Sequence, residues 1–284
     1  MKARREREQA VLVHGNNGGE PWLQNEAIST FPAEKAKPAT IDPVPGTADS
    51  RRLCEEISAL SGGVCFLGFS RGKDSIAALV WLKRFFTRII PFHCCGVPHL
   101  SFVDESLKYY EDLFGCEILR FIEGDVMRAI GDLHFQPPTA EAEINDMDLW
   151  LYDKLDIVEL LRRELDLPDA WCAWGILTND NMFRRMYCAK RFRNENRKSF
   201  YPIYDWTRRQ VIETLVAERI LLPKDYLVKN RTLSAMPQYR DLKGIEEKYP
   251  ADMQRIEDVF PFIRAEMARQ EFRAARLAKG KNDA

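Results

Sequence analysis

The feature that most restricts the fold of this chain is a continuous apolar run at residues 64–69, followed directly by the polar residues 70–75. An apolar run of this length is typical of a strand that helices cover on both faces. Residues 75–86 then carry apolar side chains at helical spacing. The core of the chain is therefore expected to begin with a strand, a short polar loop and a helix, the first part of a βαβ unit.

Three further apolar runs predict strands that alternate with helices. The runs lie at residues 89–95, 117–122 and 170–175. Helical patterns lie at residues 50–60, 102–114, 125–130 and 149–165, and a basic helical pattern lies at residues 179–193. This alternation predicts a parallel sheet with helices on both of its faces.

Prolines and capping patterns mark the ends of several predicted elements. Pro91 lies inside the second apolar run, and because proline cannot donate to a ladder, we expect the strand to start after Pro91 or to bulge there. Thr207 and Gln210 form a capping-box pattern that opens a helix over residues 208–219. The alternating charges of residues 252–279 predict one exposed or docking helix.

Composition along the chain predicts three regions. Residues 1–48 are rich in glycine and proline and poor in apolar side chains, so we expect a flexible N-terminal arm. Residues 49–222 contain the alternating strands and helices and form the predicted α/β domain. Residues 223–284 are expected to form a helical C-terminal extension.

The polar loop follows a strand directly, at the position where open α/β sheets bind ligands. The N-terminus of the next helix offers unpaired N–H groups and a positive dipole end, which favour phosphate. Gly72 lets the backbone approach a phosphate, and the hydroxyls of Ser70 and Ser75 add donors. Lys73 adds a cation, and Asp74 is suited to hold Mg²⁺ that bridges phosphate oxygens.

Two better-known phosphate loops do not fit this segment. A Walker A loop needs four residues between its glycines, whereas only three separate Gly68 from Gly72, and Lys73 is followed by aspartate. The dinucleotide fingerprint G-x-G-x-x-G fails as well, because neither the adjacent Gly62 and Gly63 nor the later glycines have its spacing. The loop therefore belongs to another type.

The loop resembles the S-G-G-x-D-S pyrophosphate loop of the PP-loop ATP pyrophosphatases. Within that superfamily the chain is similar to the phosphoadenosine-phosphosulfate reductase branch, which also contains the small subunit of ATP sulfurylase and the sulfur-transfer enzyme of DNA phosphorothioation. Residues 100–105, 175–184 and 201–211 resemble three further segments of the branch, in the same order. The resemblance implies a doubly wound sheet of five parallel strands in the order 3-2-1-4-5.

The resemblance also implies which ligands bind and which residues contact them. ATP and Mg²⁺ are the expected cofactors, and ATP is cleaved between its α and β phosphates. Besides all residues of the loop, the nucleotide would contact Gly175, Arg184 and Arg185. The expected catalytic residues are Lys73 on the β and γ phosphates, Asp74 on Mg²⁺ and Arg184 on the α phosphate.

Several positions depart from the family pattern. Arg71 replaces the middle glycine of the loop and is expected to place a positive charge beside the phosphates. Leu177 stands for an arginine and Asn181 for a serine, while Pro98-His99 stands where the family has an Asp-Thr-Gly turn. The last cysteine is Cys188, and no E-C-G-x-H segment of the reductases follows it.

The function expected from these features is adenylylation of a substrate oxygen with release of pyrophosphate, in sulfur metabolism or nucleic-acid modification. The acceptor stays open among sulfate, a nucleic-acid base, a carboxylate and an amide. The alternative is a nucleotide-binding or nucleic-acid-associated accessory protein that keeps the fold without turnover. A true phosphoadenosine-phosphosulfate reductase is disfavoured because the C-terminal cysteine segment is missing.

The charge pattern bears on the partners of the chain. The net charge is −1, but basic residues cluster between Arg184 and Lys198. Such a cluster attracts the ATP tail or a nucleic-acid backbone, or else it is a solvated helix face. The C-terminal helix is a candidate surface for a second copy of the chain or for a partner protein.

The remaining sequence signals concern membranes, cysteines and metals. No apolar run approaches the roughly 20 residues that span a bilayer, so we expect no membrane contact. Seven cysteines without a C-x-x-C pattern predict reduced thiols and a cytoplasmic protein. His93, Cys94, Cys95 and His99 lack the spacing of a zinc or iron–sulfur site and are interpreted as structural, with a catalytic thiol at Cys95 as the alternative.

Overall fold

The computed structural model describes residues 49–147, 149, 151–178, 182, 184, 186, 192–226, 232 and 239–282. The predicted N-terminal arm at residues 1–48 lies outside the described residues. The described part alternates strands and helices from residue 50 onward, so the predicted α/β class is confirmed.

The described strands form one mostly parallel sheet. They are β1 (Val64–Gly68), β2 (Arg88–Cys95), β3 (Leu119–Ile122), β4 (Trp171–Trp174), β5 (Arg193–Asn194) and β6 (Ser199–Phe200). Their order in the sheet is β3-β2-β1-β4-β6-β5. β1 pairs in parallel with β2 and with β4, β4 pairs in parallel with β6, and β5 pairs antiparallel to β6.

The strand order agrees with the predicted 3-2-1-4-5 when β6 takes the fifth place, and β5 is an additional edge strand. The basic helix was predicted to include Arg193, which is wrong, because Arg193 pairs with Phe200 in the hairpin of β5 and β6. The side-chain oxygen of Asn194 accepts the N–H of Arg197 at 3.1 Å and closes the turn of this hairpin. The chain thus adds a short antiparallel strand that apolar patterning does not reveal.

Pro91 lies inside β2, and the prediction of a bulge or a later start is wrong. The register between β1 and β2 runs without a skipped residue from Val64 opposite Arg88 to Gly68 opposite Phe92, and it places Pro91 opposite Leu67. Proline removes one donor from the ladder. The strand is nevertheless continuous because its apolar residues are buried on both sides of the proline.

Ten α-helices are present among the described residues. They are α1 (Ser50–Leu60), α2 (Lys73–Leu82), α3 (Ser101–Phe114), α4 (Gly124–Gly131), α5 (Glu141–Asp146), α6 (Lys154–Glu164), α7 (Arg208–Ala217), α8 (Tyr239–Lys248), α9 (Pro250–Val259) and α10 (Ile263–Asn282). In the described part of the chain, no helix is long and apolar enough to cross a membrane.

Two of these helices begin at side chains that cap them. The carboxylate of Asp49 accepts the N–H of Arg51 at 2.8 Å at the start of α1. At the start of α7 the predicted capping box is confirmed, because Thr207 and Gln210 each bond the backbone N–H of the other. Such caps satisfy N–H groups that a helix leaves unpaired at its first turn.

Two predicted helices have different bounds in the structure. The single helix predicted over residues 252–279 is divided into α9 and α10, because Pro261 forces the preceding Phe260 out of the helical region (φ −128°, ψ 75°). The helix predicted over residues 149–165 begins only at Lys154. Two residues before this start, Tyr152 is buried and donates its hydroxyl to the carbonyl of Ile122 instead.

The chain divides into two compact units. The first unit holds the chain up to Cys94, Glu105–Phe121 and the chain from Leu155 to Thr232. The second unit holds Cys95–Asp104, Ile122–Lys154 and the chain from residue 233 onward, which includes α8, α9 and α10. The second unit therefore contains internal segments in addition to most of the predicted extension at residues 223–284.

Each unit has buried contacts of its own. In the first unit, Phe66 and Leu67 of β1 and the indole of Trp206 are fully buried, and the rings of Trp81 and Trp206 meet edge to face at 5.3 Å. In the second unit, the buried carboxylate of Asp252 accepts the backbone N–H of Ser101 at 2.9 Å. This bond attaches α9 to the start of α3.

Candidate functional site

The loop between β1 and α2 presents backbone donors at the N-terminus of α2. Gly72 is the N-cap residue, with an extended backbone and no side chain to cap the helix. The N–H of Ile76 donates to the Gly72 carbonyl at 3.0 Å. The N–H of Ser75, one residue earlier, finds no acceptor among the described residues. A helix N-terminus with an unpaired N–H group favours a bound anion.

Gly175 brings the end of β4 into direct contact with this helix N-terminus. A Cβ atom at Gly175 would lie 2.8 Å from Ser75 Cα and 2.9 Å from the carbonyl carbon and oxygen of Asp74. Real Cβ atoms essentially never come this close to backbone atoms, so a glycine is required. The sequence-predicted residue Gly175 therefore lies against the predicted loop.

The two loop serines bond within the loop. The hydroxyl of Ser70 donates to the hydroxyl of Ser75 at 3.1 Å and accepts the N–H of Gly72 at 3.3 Å. The Ser75 hydroxyl donates to the Gly72 carbonyl at 2.9 Å. These bonds hold the loop in its present conformation, and the predicted contact of either hydroxyl with a phosphate stays a prediction.

Lys73 and Asp74 form an ion pair at the first turn of α2. The ammonium group of Lys73 donates to both carboxylate oxygens of Asp74 at 2.8 Å, and the two side chains are 25% and 22% exposed. The described residues contain no group of three or more His, Cys, Asp and Glu side chains that could hold a metal ion. Mg²⁺ at Asp74 would therefore take its other ligands from phosphate oxygens and water.

Arg71 has its side chain buried in the interior of the protein. Its backbone has φ 60°, a region that favours glycine, and the residue is only 3% exposed. The guanidinium donates to the Ser106 hydroxyl at 2.9 Å and to the Asp225 carboxylate at 3.1 Å. The expected free positive charge beside the phosphates is therefore compensated by Asp225, because a buried guanidinium needs an opposite charge.

Residues 223–226, which we call the strap, contact the loop and were not identified from the sequence. Asp225 is fully buried and holds Arg71. The hydroxyl of Tyr226 accepts the N–H of Lys73 at 3.0 Å. Outside the loop, the half-buried Lys224 pairs with the exposed Glu105 at 2.7 Å. The only sequence signal for this arrangement is Arg71 itself. A buried arginine needs an acidic partner, but the sequence does not show which acidic residue that is.

The family-like segment after β4 lies only partly within the described residues. Arg184 has a helical backbone and an exposed side chain, whereas Arg185 and Asn181 lie outside the described residues. Leu177 is fully buried. The expected contacts of Arg184 and Arg185 with the nucleotide stay predictions.

The cysteines that the structure describes form no disulfide bonds with one another. Cys65 and Cys172 are fully buried, and burial raises the pKa of both thiols well above its usual range. Cys94 and Cys95 are half-buried at the end of β2. The interpretation of these cysteines as structural residues and the alternative of a catalytic thiol at Cys95 both stay predictions.

The edge of the sheet holds a polar cavity. A cavity of about 240 Å³ is lined by Leu155, Trp174, Arg193, Asn194, Arg197, Ser199 and Tyr201. Arg193 is paired with Glu56 at 3.3 Å and Glu195 at 2.8 Å. Two arginines of the predicted basic cluster thus line one cavity together with two aromatic side chains.

The described residues define a mostly parallel α/β protein with a glycine-containing loop at the carboxyl end of its central strand. No protein-family model matches the chain, and no curated protein was found to match it. Among solved structures, it is similar to the U34-tRNA thiolase NcsA of Methanococcus maripaludis, with 12% identity, a TM-score of 0.39 and coverage of 76% of this chain and 78% of that one. It is also similar to the NH3-dependent NAD synthetase of Campylobacter jejuni, with 14% identity, a TM-score of 0.38 and coverage of 79% of this chain and 94% of that one.

Proposed function

We propose that this chain binds ATP with Mg²⁺ at residues 70–75 and transfers the adenylyl group to an acceptor oxygen. In this step the acceptor oxygen bonds to the α phosphorus, and the bond from the α phosphorus to the oxygen of the β phosphate breaks. Pyrophosphate leaves with the electron pair, and a proton carried by the acceptor, as in the case of water, goes to the solvent. The proposal is that of an ATP pyrophosphatase-type enzyme of the PP-loop kind.

The observation that carries this proposal is the N–H group of Ser75 in the first turn of α2, which is unpaired among the described residues. Gly72, the N-cap residue, adds no side chain of its own at this turn. A phosphate oxygen can accept such an N–H group, and the helix dipole adds to the attraction. Lys73 and Asp74 stand at the same turn and supply a cation and a metal-binding carboxylate.

Within this proposal the residues of the loop act mainly through position and charge. Lys73 would leave Asp74 and bind the β and γ phosphates, which frees the carboxylate to hold Mg²⁺. The metal ion, when bound, neutralises phosphate charge and thereby helps pyrophosphate to leave. Arg184 would stabilise the charge that develops on the α phosphate.

For the acceptor, the cavity beside β6 supports an anionic or aromatic group. β4 and β6 are neighbouring parallel strands, and Trp174 and Tyr201 line the cavity at their carboxyl ends. Trp174 directly precedes Gly175, which contacts the first turn of α2. Neighbouring strands lie only about 4.8 Å apart, so an acceptor in this cavity would be close to the loop. A nucleic-acid base and a sulfur-containing anion would both suit this lining. They correspond to the two settings expected from the sequence, nucleic-acid modification and sulfur metabolism.

A second candidate is a nucleotide-binding accessory protein without turnover. It is favoured by the ion pair of Lys73 with Asp74, which occupies both carboxylate oxygens that a metal ion would need. Docking of a partner through the C-terminal helix remains part of the proposal for either candidate.

Product analysis separates the two candidates. The protein is incubated with Mg²⁺ and ATP labelled at the α phosphate, and water replaces the unknown acceptor in a slow hydrolysis. We expect AMP and pyrophosphate from the wild type and neither from Asp74→Ala. Formation of ADP and phosphate would contradict the proposed cleavage site, and ATP binding without any product would favour the accessory protein.

A further inference from the structure

The hydroxyl of Tyr226 occupies the first backbone donor of α2. It accepts the N–H of Lys73 at 3.0 Å and lies 3.8 Å from the position of a Cβ atom on Gly72. Tyr226 is only 9% exposed, so the ring is held in the interior and only its polar end reaches the loop. The hydroxyl therefore stands where the bare backbone of the loop would meet a phosphate.

The hydroxyl of Tyr226 does not use its O–H donor in a hydrogen bond among the described residues. A phenol has one O–H donor and two acceptor lone pairs. The bond from Lys73 uses an acceptor lone pair, and among the described residues no group accepts the O–H of Tyr226. Burial raises the pKa of Tyr226 to about 12, so the hydroxyl keeps its proton at neutral pH. A nearly buried donor is thus directed at the loop without an acceptor.

The strap holds the hydroxyl in this position through the neighbouring residue. Asp225 is fully buried and pairs with the guanidinium of Arg71 at 3.1 Å. The same guanidinium donates to the buried hydroxyl of Ser106 at 2.9 Å. Two consecutive strap residues, Asp225 and Tyr226, therefore bond two residues of the loop. These bonds hold the side chains of both strap residues against the loop.

We propose that Tyr226 binds the phosphate of the nucleotide by donating its O–H to a phosphate oxygen while it still accepts the N–H of Lys73. This inference rests on the proposed function, since it assigns a further ligand to the same phosphate site. Arg71 has a positioning role in it: the arginine secures the strap through Asp225 and does not touch the phosphate. This positioning role would explain why Arg71 stands where the similar loop has a glycine.

The test is calorimetric titration of pyrophosphate, Mg²⁺-ATP and adenosine into the wild type and Tyr226→Phe. Because a hydrogen bond to a charged group is lost, we expect pyrophosphate and ATP to bind about 10-fold more weakly, or worse, in the variant. Adenosine, which has no phosphate, should bind both proteins equally. The control is Tyr110→Phe, which removes the bond from another buried tyrosine hydroxyl to the Leu221 carbonyl, 2.8 Å long, and should leave all affinities unchanged.

Each other outcome has a defined meaning. Unchanged affinity for pyrophosphate in Tyr226→Phe would overturn the inference, and tighter binding would show that the hydroxyl only fills the site until phosphate displaces it. An equal loss in Tyr110→Phe would also overturn it, because general loosening of the fold would then explain the effect. A wild type that binds neither pyrophosphate nor ATP would refute the proposed function itself.

Discussion

At the scale of single residues, the absence of a side chain matters as much as any functional group. Gly175 is placed so that a Cβ atom would overlap backbone atoms of Ser75 and Asp74 at 2.8 to 2.9 Å. Backbone atoms cannot rotate away as a flexible side chain can, so either β4 or the first turn of α2 would have to move. The position of the loop at residues 70–75 therefore depends on this glycine.

Gly175→Ala is expected to destabilise the protein and to impair the loop. Overpacking of this kind costs about 1–3 kcal/mol, which urea unfolding followed by circular dichroism would measure. The affinity for Mg²⁺-ATP should fall in the same variant. The matched control is Gly131→Ala, where the added Cβ would meet only a leucine side-chain atom at 3.8 Å. If Gly175→Ala were as harmless as the control, the close contact between β4 and α2 would be contradicted.

The sequence identified the residues of the loop but not their partners. The strand, the polar loop and the helix follow one another in the chain. Local patterns are therefore sufficient to predict that Gly72, Lys73 and Asp74 lie between the strand and the helix. The partner of Arg71 is Asp225, which lies 154 residues away and is one of 43 acidic residues. No local pattern distinguishes it from the others, and Tyr226 likewise carries no signal before the fold brings it to the loop.

At the scale of elements, two ion pairs attach the strap to the rest of the first unit, one of them buried and the other accessible to solvent. Asp225 and Arg71 are 0% and 3% exposed, whereas the neighbouring Lys224 and its partner Glu105 are 31% and 43% exposed. A buried ion pair that loses one partner leaves an uncompensated charge in the interior. Exposed pairs are screened by solvent and contribute little.

Asp225→Asn is therefore expected to lower the free energy of unfolding by about 3–5 kcal/mol, since it leaves the Arg71 guanidinium buried without an opposite charge. Lys224→Gln, one residue away on the same segment, should cost less than about 1 kcal/mol. Both values follow from urea unfolding of the full chain. Equal, small losses in the two variants would contradict the buried pair as the attachment of the strap.

Element types were predicted better than element ends. Apolar periodicity is a property of the chain and predicted β1 and α3 within one residue at most of their ends. Ends depend on tertiary contacts, as α6 shows: Tyr152 is drawn into a bond with the Ile122 carbonyl and the helix begins after it. The misjudged prolines, Pro91 and Pro261, show that the same residue is tolerated in a buried strand and breaks a helix.

At the scale of the whole molecule, the sheet order explains why distant segments of the chain meet at one site. β1 lies between β2 and β4, so the loop after β1 and Gly175 after β4 are neighbours although about a hundred residues separate them. The parallel direction of these strands puts both carboxyl ends at the same edge. The order 3-2-1-4-5, with β6 as the fifth strand, was predictable through resemblance, whereas the added strand β5 was not, because it is only two residues long.

The central claim is that the loop at residues 70–75 binds the phosphates of a nucleotide, and calorimetric titration of Mg²⁺-ATP into the wild type and Asp74→Ala tests it most directly. Asp112→Ala is the control, because it removes another carboxylate that pairs with a lysine, at 2.5 Å, on the exposed face of α3. We predict one binding site in the wild type and in Asp112→Ala, and an affinity at least about 10-fold lower in Asp74→Ala with an unchanged thermal midpoint. Absence of binding in the wild type, or equal affinity in all three proteins, would contradict the assignment of the loop.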